Sequence, residues 1–143
     1  MWLDQDRDQL RGAFVEAWRK YRAGLPMEAL ERTIAGVIAH HPEYQAGLES
    51  GGLTGRDYLP GDGESNPFLH MGLHIALQEQ IATDRPGGVL AIYHALAGRA
   101  GDTHEAEHRM IDCLAAVLWQ AQRDGVMPDE NDYLGRLREL LRG

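Results

Sequence analysis

Residues 102–121 read DTHEAEHRMIDCLAAVLWQA, and this stretch predicts the longest helix of the chain. At about 100° per residue, the helical period, two histidines and a glutamate fall on the same face as the apolar residues. A buried carboxylate is costly unless it is paired or bound to a metal. Glu107, predicted in the middle of this face, is therefore the main functional signal in the sequence. The face comprises His104, Glu107, His108, Ile111, Leu114 and Leu118.

A second helix with inward-facing histidines is predicted from residue 67 to about 83. Asn66-Pro67 is a strong start signal, because a capping side chain precedes a residue that suits the first helical turn. Two histidines then recur with aliphatic residues at helical spacing, and a glutamine lies beside them. The stripe consists of His70, His74, Leu77 and Ile81, with Gln78 at its flank.

The other segments also show helical periodicity. Helices are predicted at 6–23, from Pro26 to His41 and between 89 and 98, with a last one from Pro128-Asp129 and a short turn at 43–48. Residues 49–66 are rich in glycine and acidic side chains, which predicts a long loop. No segment alternates with period 2. The predicted fold is all-α: a single-domain helical bundle over residues 1–143, with five main helices and one or two short ones.

Aromatic residues at helical spacing are interpreted as core rather than as a cofactor site. They are Trp18, Tyr21, Tyr93 and Trp119. In the helix that begins at Pro26, Leu30 is predicted on the buried stripe with Met27, Ile34, Val37 and Ile38. Cys113, the only cysteine, is expected to be a half-buried and inert residue.

Charge and composition narrow the functional classes. The 143 residues carry 14 basic and 22 acidic side chains, for a net charge of −8. This balance argues against nucleic acid, which requires a basic face, and against anionic membranes. No apolar run approaches the roughly 20 residues that span a bilayer, and the acidic N-terminus does not resemble a signal peptide. A cytoplasmic protein is expected. The leucines of the last helix are compatible with a homodimer through that helix.

Chain direction predicts that the histidines meet. Short connections make neighbouring helices antiparallel, so the helices at 67–83 and 102–121, separated by one helix, should run in parallel. Their first two turns, which carry the two histidine pairs, would then lie at the same level. His41, at the end of an earlier helix, would reach the same level if that helix runs the opposite way.

This arrangement favours a metal site. Neutral imidazole is a common ligand of zinc and iron, and sites inside helical bundles often combine Glu and His. With one inward carboxylate, a mononuclear site is favoured over a carboxylate-rich di-iron site. The expected function is therefore binding of one divalent transition metal, zinc or iron, with no catalytic residue assigned. The predicted ligands are His70, His74, His104, His108 and Glu107, with His41 and Gln78 as additional candidates.

Two alternatives remain open. The histidines and Glu107 could form a buried hydrogen-bonded network in a non-catalytic interaction or assembly domain, with His41 bonding the carbonyls at the end of its helix. HEAEH at 104–108 also matches the H-E-x-x-H signature of zinc proteases, which would make the protein a metal-dependent hydrolase. Glu105, however, is predicted on the solvent-exposed face, and no sheet is predicted beside the motif.

Several motifs resemble the domain-of-unknown-function family 1841, a family of small helical bacterial proteins. They are HPEY at 41–44, RDYLPGDGESNPF at 56–68, NPFLHMGLHIALQEQIATDRPGG from Asn66, and DTHEAEH from Asp102. The similarity spans nearly the whole chain. It implies a cytoplasmic bacterial protein and does not imply an activity.

Overall fold

The structure is a computed structural model that describes residues 7–51 and 66–142. All regular secondary structure in these two ranges is helical, which confirms the all-α class, and the seven helices fall within the predicted number. Residues 52–65 of the predicted loop lie outside the described ranges. In chain order the helices are α1 (Arg7–Ala23), α2 (Ala29–Ala39), α3 (Pro42–Ser50), α4 (Pro67–Thr83), α5 (Val89–Ala100), α6 (Thr103–Asp124) and α7 (Glu130–Arg142).

The chain forms two compact units, Met1–Ile75 and Ala76–Gly143, and the division lies inside α4. In the first unit, α1, α2 and α3 pack against one another around a core to which the start of α4 adds Phe68 and Met71. The rings of Phe14 and Phe68 meet edge to face at 5.6 Å. The remaining buried members of this core are Ala17, Trp18, Ile34, Val37, Ile38, Leu48 and Ile75.

The second unit is built from the end of α4 with α5, α6 and α7, and the last three helices pack against one another. Its most deeply buried side chains are aliphatic, as expected for helices that bury one apolar stripe each. They include Leu77, Val89, Leu96, Met110 and Leu137. Tyr133 of α7 is also buried and donates a hydrogen bond from its hydroxyl to Gln80 Oε1 at 2.7 Å.

The helix ends lie close to the predicted signals. Asn66 Oδ1 accepts hydrogen bonds from the backbone N–H groups of Phe68 and Leu69, at 3.0 and 3.2 Å, and so caps α4. Helices α5 and α6 end at Gly101 and Gly125, whose φ angles of 70° and 67° lie in the left-handed region. Glycine is favoured there because it has no Cβ to clash with the backbone.

Helices α2 and α3 differ from the prediction. Helix α2 begins at Ala29, because Glu28 and Glu31 form a capping box at its start. Leu30 therefore lies in the exposed first turn, with 62% of its surface accessible, and the prediction that it is buried is wrong. Helix α3 reaches Ser50 and so includes the first two residues of the predicted loop.

Two of the aromatic residues predicted in the core are exposed. Tyr21 is 50% exposed and stacks on the buried Trp18 at 5.2 Å. Trp119 is 61% exposed, with the Arg123 guanidinium 4.8 Å from its ring centre. In both cases another side chain covers part of the ring at the surface. Tyr93 is half-buried.

Within residues 7–51 and 66–142, every helix is too short or too polar to span a lipid bilayer.

Candidate metal centre

Three histidines of the first unit lie together, and we call them the first histidine group: His41, His70 and His74. His41 lies between α2 and α3, and the other two lie one turn apart on α4. The ring centres of His41 lie 5.1 Å from His70 and 4.7 Å from His74, and those of His70 and His74 are 4.8 Å apart. His41 and His74 are only 2% and 1% exposed. The first unit therefore holds a cluster of three imidazoles, of which His41 and His74 are buried and His70 is half-buried.

The hydrogen bond of His41 fixes which of its nitrogens can bind an ion. Its Nδ1 lies 2.7 Å from the carbonyl oxygen of Val37, in the last turn of α2. A carbonyl can only accept, so Nδ1 carries the hydrogen and the lone pair of the neutral ring is on Nε2. The predicted bond from His41 to the end of its helix is thus confirmed. The same bond is how metal-binding histidines are usually oriented, so it supports both interpretations of this residue.

The spacing of His70 and His74 suits one metal ion. Their Nε2 atoms are 3.3 Å apart. Two nitrogens bound at about 2.0–2.1 Å to one tetrahedral ion are separated by roughly 3.3–3.4 Å. The same distance allows a hydrogen bond between the two rings, with one Nε2 as donor and the other as acceptor. The prediction that both residues lie on the inner stripe of α4 is supported most strongly at His74.

The aromatic ring of Tyr44 in α3 packs against the first histidine group. Its ring lies nearly parallel to that of His41, with a centre-to-centre distance of 5.6 Å and an angle of 10°. Its centre is 6.5 Å from that of His70. Sequence reasoning did not assign a role to Tyr44. The available signal was its position in HPEY, where the proline begins a helix and places Tyr44 in the first turn, three residues after His41.

The second unit carries a second histidine group on the first two turns of α6: His104 and His108, with Glu107. The two ring centres are 4.2 Å apart, and one ligand nitrogen from each ring lies within 4.8 Å of the other. Both rings are half-buried. Asp102 caps the helix by accepting from the backbone N–H of His104 at 2.9 Å, which fixes the turn that carries this group.

Glu107 of α6 is half-buried, whereas the sequence predicted it in the middle of a buried face. Ile111 and Leu114 of that predicted face are buried, together with Ala106 and Met110. A half-buried carboxylate keeps part of its hydration. It accepts a hydrogen bond from Gln78 Nε2 at 3.3 Å. Sequence reasoning thus named both members of this pair but predicted a carboxylate more deeply buried than it is.

Comparison with known proteins identifies a family for this chain. The sequence model of the family described as Domain of unknown function (DUF1841) matches residues 6–139. The chain belongs to this family. The resemblance seen in the sequence motifs is therefore confirmed. No curated protein and no solved structure matches the chain.

In this member of the DUF1841 family, the glutamate of HEAEH that would act in a zinc protease points outward. Glu105 is exposed and forms an ion pair with Arg109 at 3.3 Å, in agreement with its predicted position on the outer face.

Cys113 of α6 is half-buried, as predicted. Burial, followed by the nearby charge of Asp112, raises the pKa of its thiol, which disfavours the thiolate that would bind a metal.

Proposed function

We propose that the chain binds one divalent transition metal ion, zinc or iron, through histidine side chains. The observation that carries this proposal is the 3.3 Å separation of the Nε2 atoms of His70 and His74. This is the spacing of two nitrogens on one tetrahedral ion. The buried ring of His41 lies against both, and its lone pair is fixed on Nε2 by the bond to Val37. In this third imidazole, Nε2 is therefore the nitrogen that can bind the ion.

The second histidine group completes the proposed ligand set. His104 and His108 have the i,i+4 spacing with which two histidines on one helix face can bind one ion. Glu107, on the same two turns of α6, offers the anionic charge that partly offsets a dication. An imidazole-rich set suits zinc, iron, copper and nickel and disfavours magnesium and calcium, which prefer oxygen. We infer a role in metal sensing or storage.

One observation favours a second candidate function. The contact between His70 and His74 also satisfies the criteria of a hydrogen bond, and Val37 and Gln78 supply partners to His41 and Glu107. The histidines could therefore stabilise a non-catalytic interaction or assembly domain without a metal. In that case substitutions at these positions would change stability alone.

Metal analysis of the untagged protein tests the proposal. After purification without an affinity tag that binds metal, the chain is dialysed and loaded with zinc, and its zinc content is measured by elemental analysis. Affinity is measured by competition with a chromophoric chelator. We expect one zinc ion per chain. We also expect His74→Ala to weaken binding at least about tenfold, because a buried ligand is lost.

The exposed histidine of α5 provides the matched control. His94→Ala should leave zinc affinity unchanged, since His94 is exposed and belongs to neither histidine group. If His74→Ala unfolds the chain, the half-buried His108→Ala gives the same test with less disturbance. Circular dichroism shows which variants are folded. Absence of stoichiometric zinc in the folded wild-type protein would reject the metal proposal and leave the structural alternative.

A further inference from the structure

Gln78 of α4 holds the carboxylate of the second histidine group. Its amide nitrogen donates to Glu107 Oε1 at 3.3 Å, and both side chains are half-buried in the second unit. The nitrogen of a side-chain amide donates hydrogen bonds and carries no charge. This bond therefore orients the carboxylate without neutralising it, whereas a lysine or arginine at the same place would cancel its charge.

The conformation of Glu107 determines where its negative charge is placed. Glu107 is three residues after His104 and one before His108 on α6. Side chains three apart on a helix are neighbours on its surface. Because Glu107 is only half-buried, its carboxylate could instead turn toward water. The bond from Gln78 opposes that rotation.

We propose that Gln78 is a positioning residue of the metal site, which acts by holding the Glu107 carboxylate beside His104 and His108. This inference rests on the proposed function and deepens it, because it gives Gln78 a role other than that of the ligand considered from the sequence. Hydrogen-bonding partners that orient the ligands of a metal typically change its affinity by about 10–100-fold.

A double-mutant cycle on zinc affinity tests this role. The dissociation constant for zinc is measured for the wild-type chain, Gln78→Ala, Glu107→Gln and the double variant. We expect Gln78→Ala to bind about tenfold more weakly. If Gln78 acts only through Glu107, adding Gln78→Ala to Glu107→Gln should cause no further loss. A merely structural glutamine would not produce this coupling in zinc affinity.

Gln80 provides a matched control on the same helix. It is also a half-buried glutamine of the second unit, but its side chain accepts from the Tyr133 hydroxyl at 2.7 Å. Gln80→Ala should lower the melting temperature without changing zinc affinity. A Gln78→Ala affinity within twofold of wild type, or an additive loss in the double variant, would overturn the positioning role alone. If the folded wild-type chain binds no zinc, this inference and the proposed function both fail.

Discussion

At the scale of single residues, the hydroxyl of Tyr133 links protonation to stability. Burial raises the pKa of this phenol well above its usual value near 10. Its neutral form donates to Gln80 Oε1 at 2.7 Å. The pKa is higher in the folded state than in the unfolded state. The stabilisation that the neutral Tyr133 hydroxyl gives to the folded state is therefore fully present below the unfolded pKa. It is lost as the pH rises through the folded pKa.

We therefore predict that Tyr133→Phe lowers the free energy of unfolding at pH 7 by about 0.5–1.5 kcal/mol, because it removes one hydrogen bond and leaves Gln80 without this donor. Urea titrations at pH 7 and above pH 10 measure the effect. The difference between wild type and variant should shrink as the pH rises beyond 10. Tyr93→Phe, at a half-buried tyrosine of α5, is the control. A difference between wild type and Tyr133→Phe that stays constant with pH would contradict the assigned cause.

At the scale of helices, two aspartates cap different elements of the second unit in the same way. Asp102 accepts from His104 N at 2.9 Å at the start of α6. Asp129 accepts from the N–H groups of Asn131 and Asp132, at 2.9 and 3.2 Å, at the start of α7. Loss of such a cap typically destabilises a protein by about 1 kcal/mol. Only the first cap adjoins the second histidine group.

Replacing each cap with alanine should therefore separate stability from metal binding. We expect Asp102→Ala and Asp129→Ala to lower the free energy of unfolding by similar amounts, about 0.5–2 kcal/mol each. We expect only Asp102→Ala to weaken zinc binding, because fraying of the first turn of α6 disorders His104. Thermal melts and chelator competition measure the two effects. Equal zinc affinity in both variants would show that the first turn of α6 does not position a ligand.

Local signals explain why the helices could be predicted so well. Asn66-Pro67, Gly101 and Gly125 mark helix ends through backbone chemistry that depends only on neighbouring residues. The pairing of His70 with His74 likewise follows from i,i+4 spacing. The half-burial of Glu107 depends instead on which neighbouring side chains cover the start of α6, and periodicity within one helix does not contain that information.

The contacts of His41 also show what sequence periodicity cannot predict, here between segments that are far apart in the chain. Its bond to Val37 is local and was anticipated. Its contact with the rings of α4 joins segments about 30 residues apart, and the sequence indicated it only through the assumed direction of each helix. Tyr44 was missed because an aromatic residue in a short helix resembles any half-buried residue. Contacts of this kind are set by the packing of helices.

At the scale of the whole molecule, the net charge of −8 means that any dication will be attracted to the chain. A specific site must therefore be distinguished from this general attraction. A ligand that binds only the folded state stabilises it by about 2.7 kcal/mol at a free concentration of 100 times its dissociation constant. For a chain of this size, that corresponds to a rise in melting temperature of roughly 5–10 °C.

We predict a rise of this size when zinc is added to the metal-free chain, and its reversal by a chelator. Magnesium at the same free concentration should cause little change, because it prefers oxygen ligands to imidazole. The double variant His74→Ala/His108→Ala removes one imidazole from each histidine group and should lose the zinc effect while keeping the small response to magnesium. Differential scanning calorimetry measures all three. Equal stabilisation of wild type by zinc and magnesium would attribute the effect to charge alone, because an imidazole site favours zinc over magnesium.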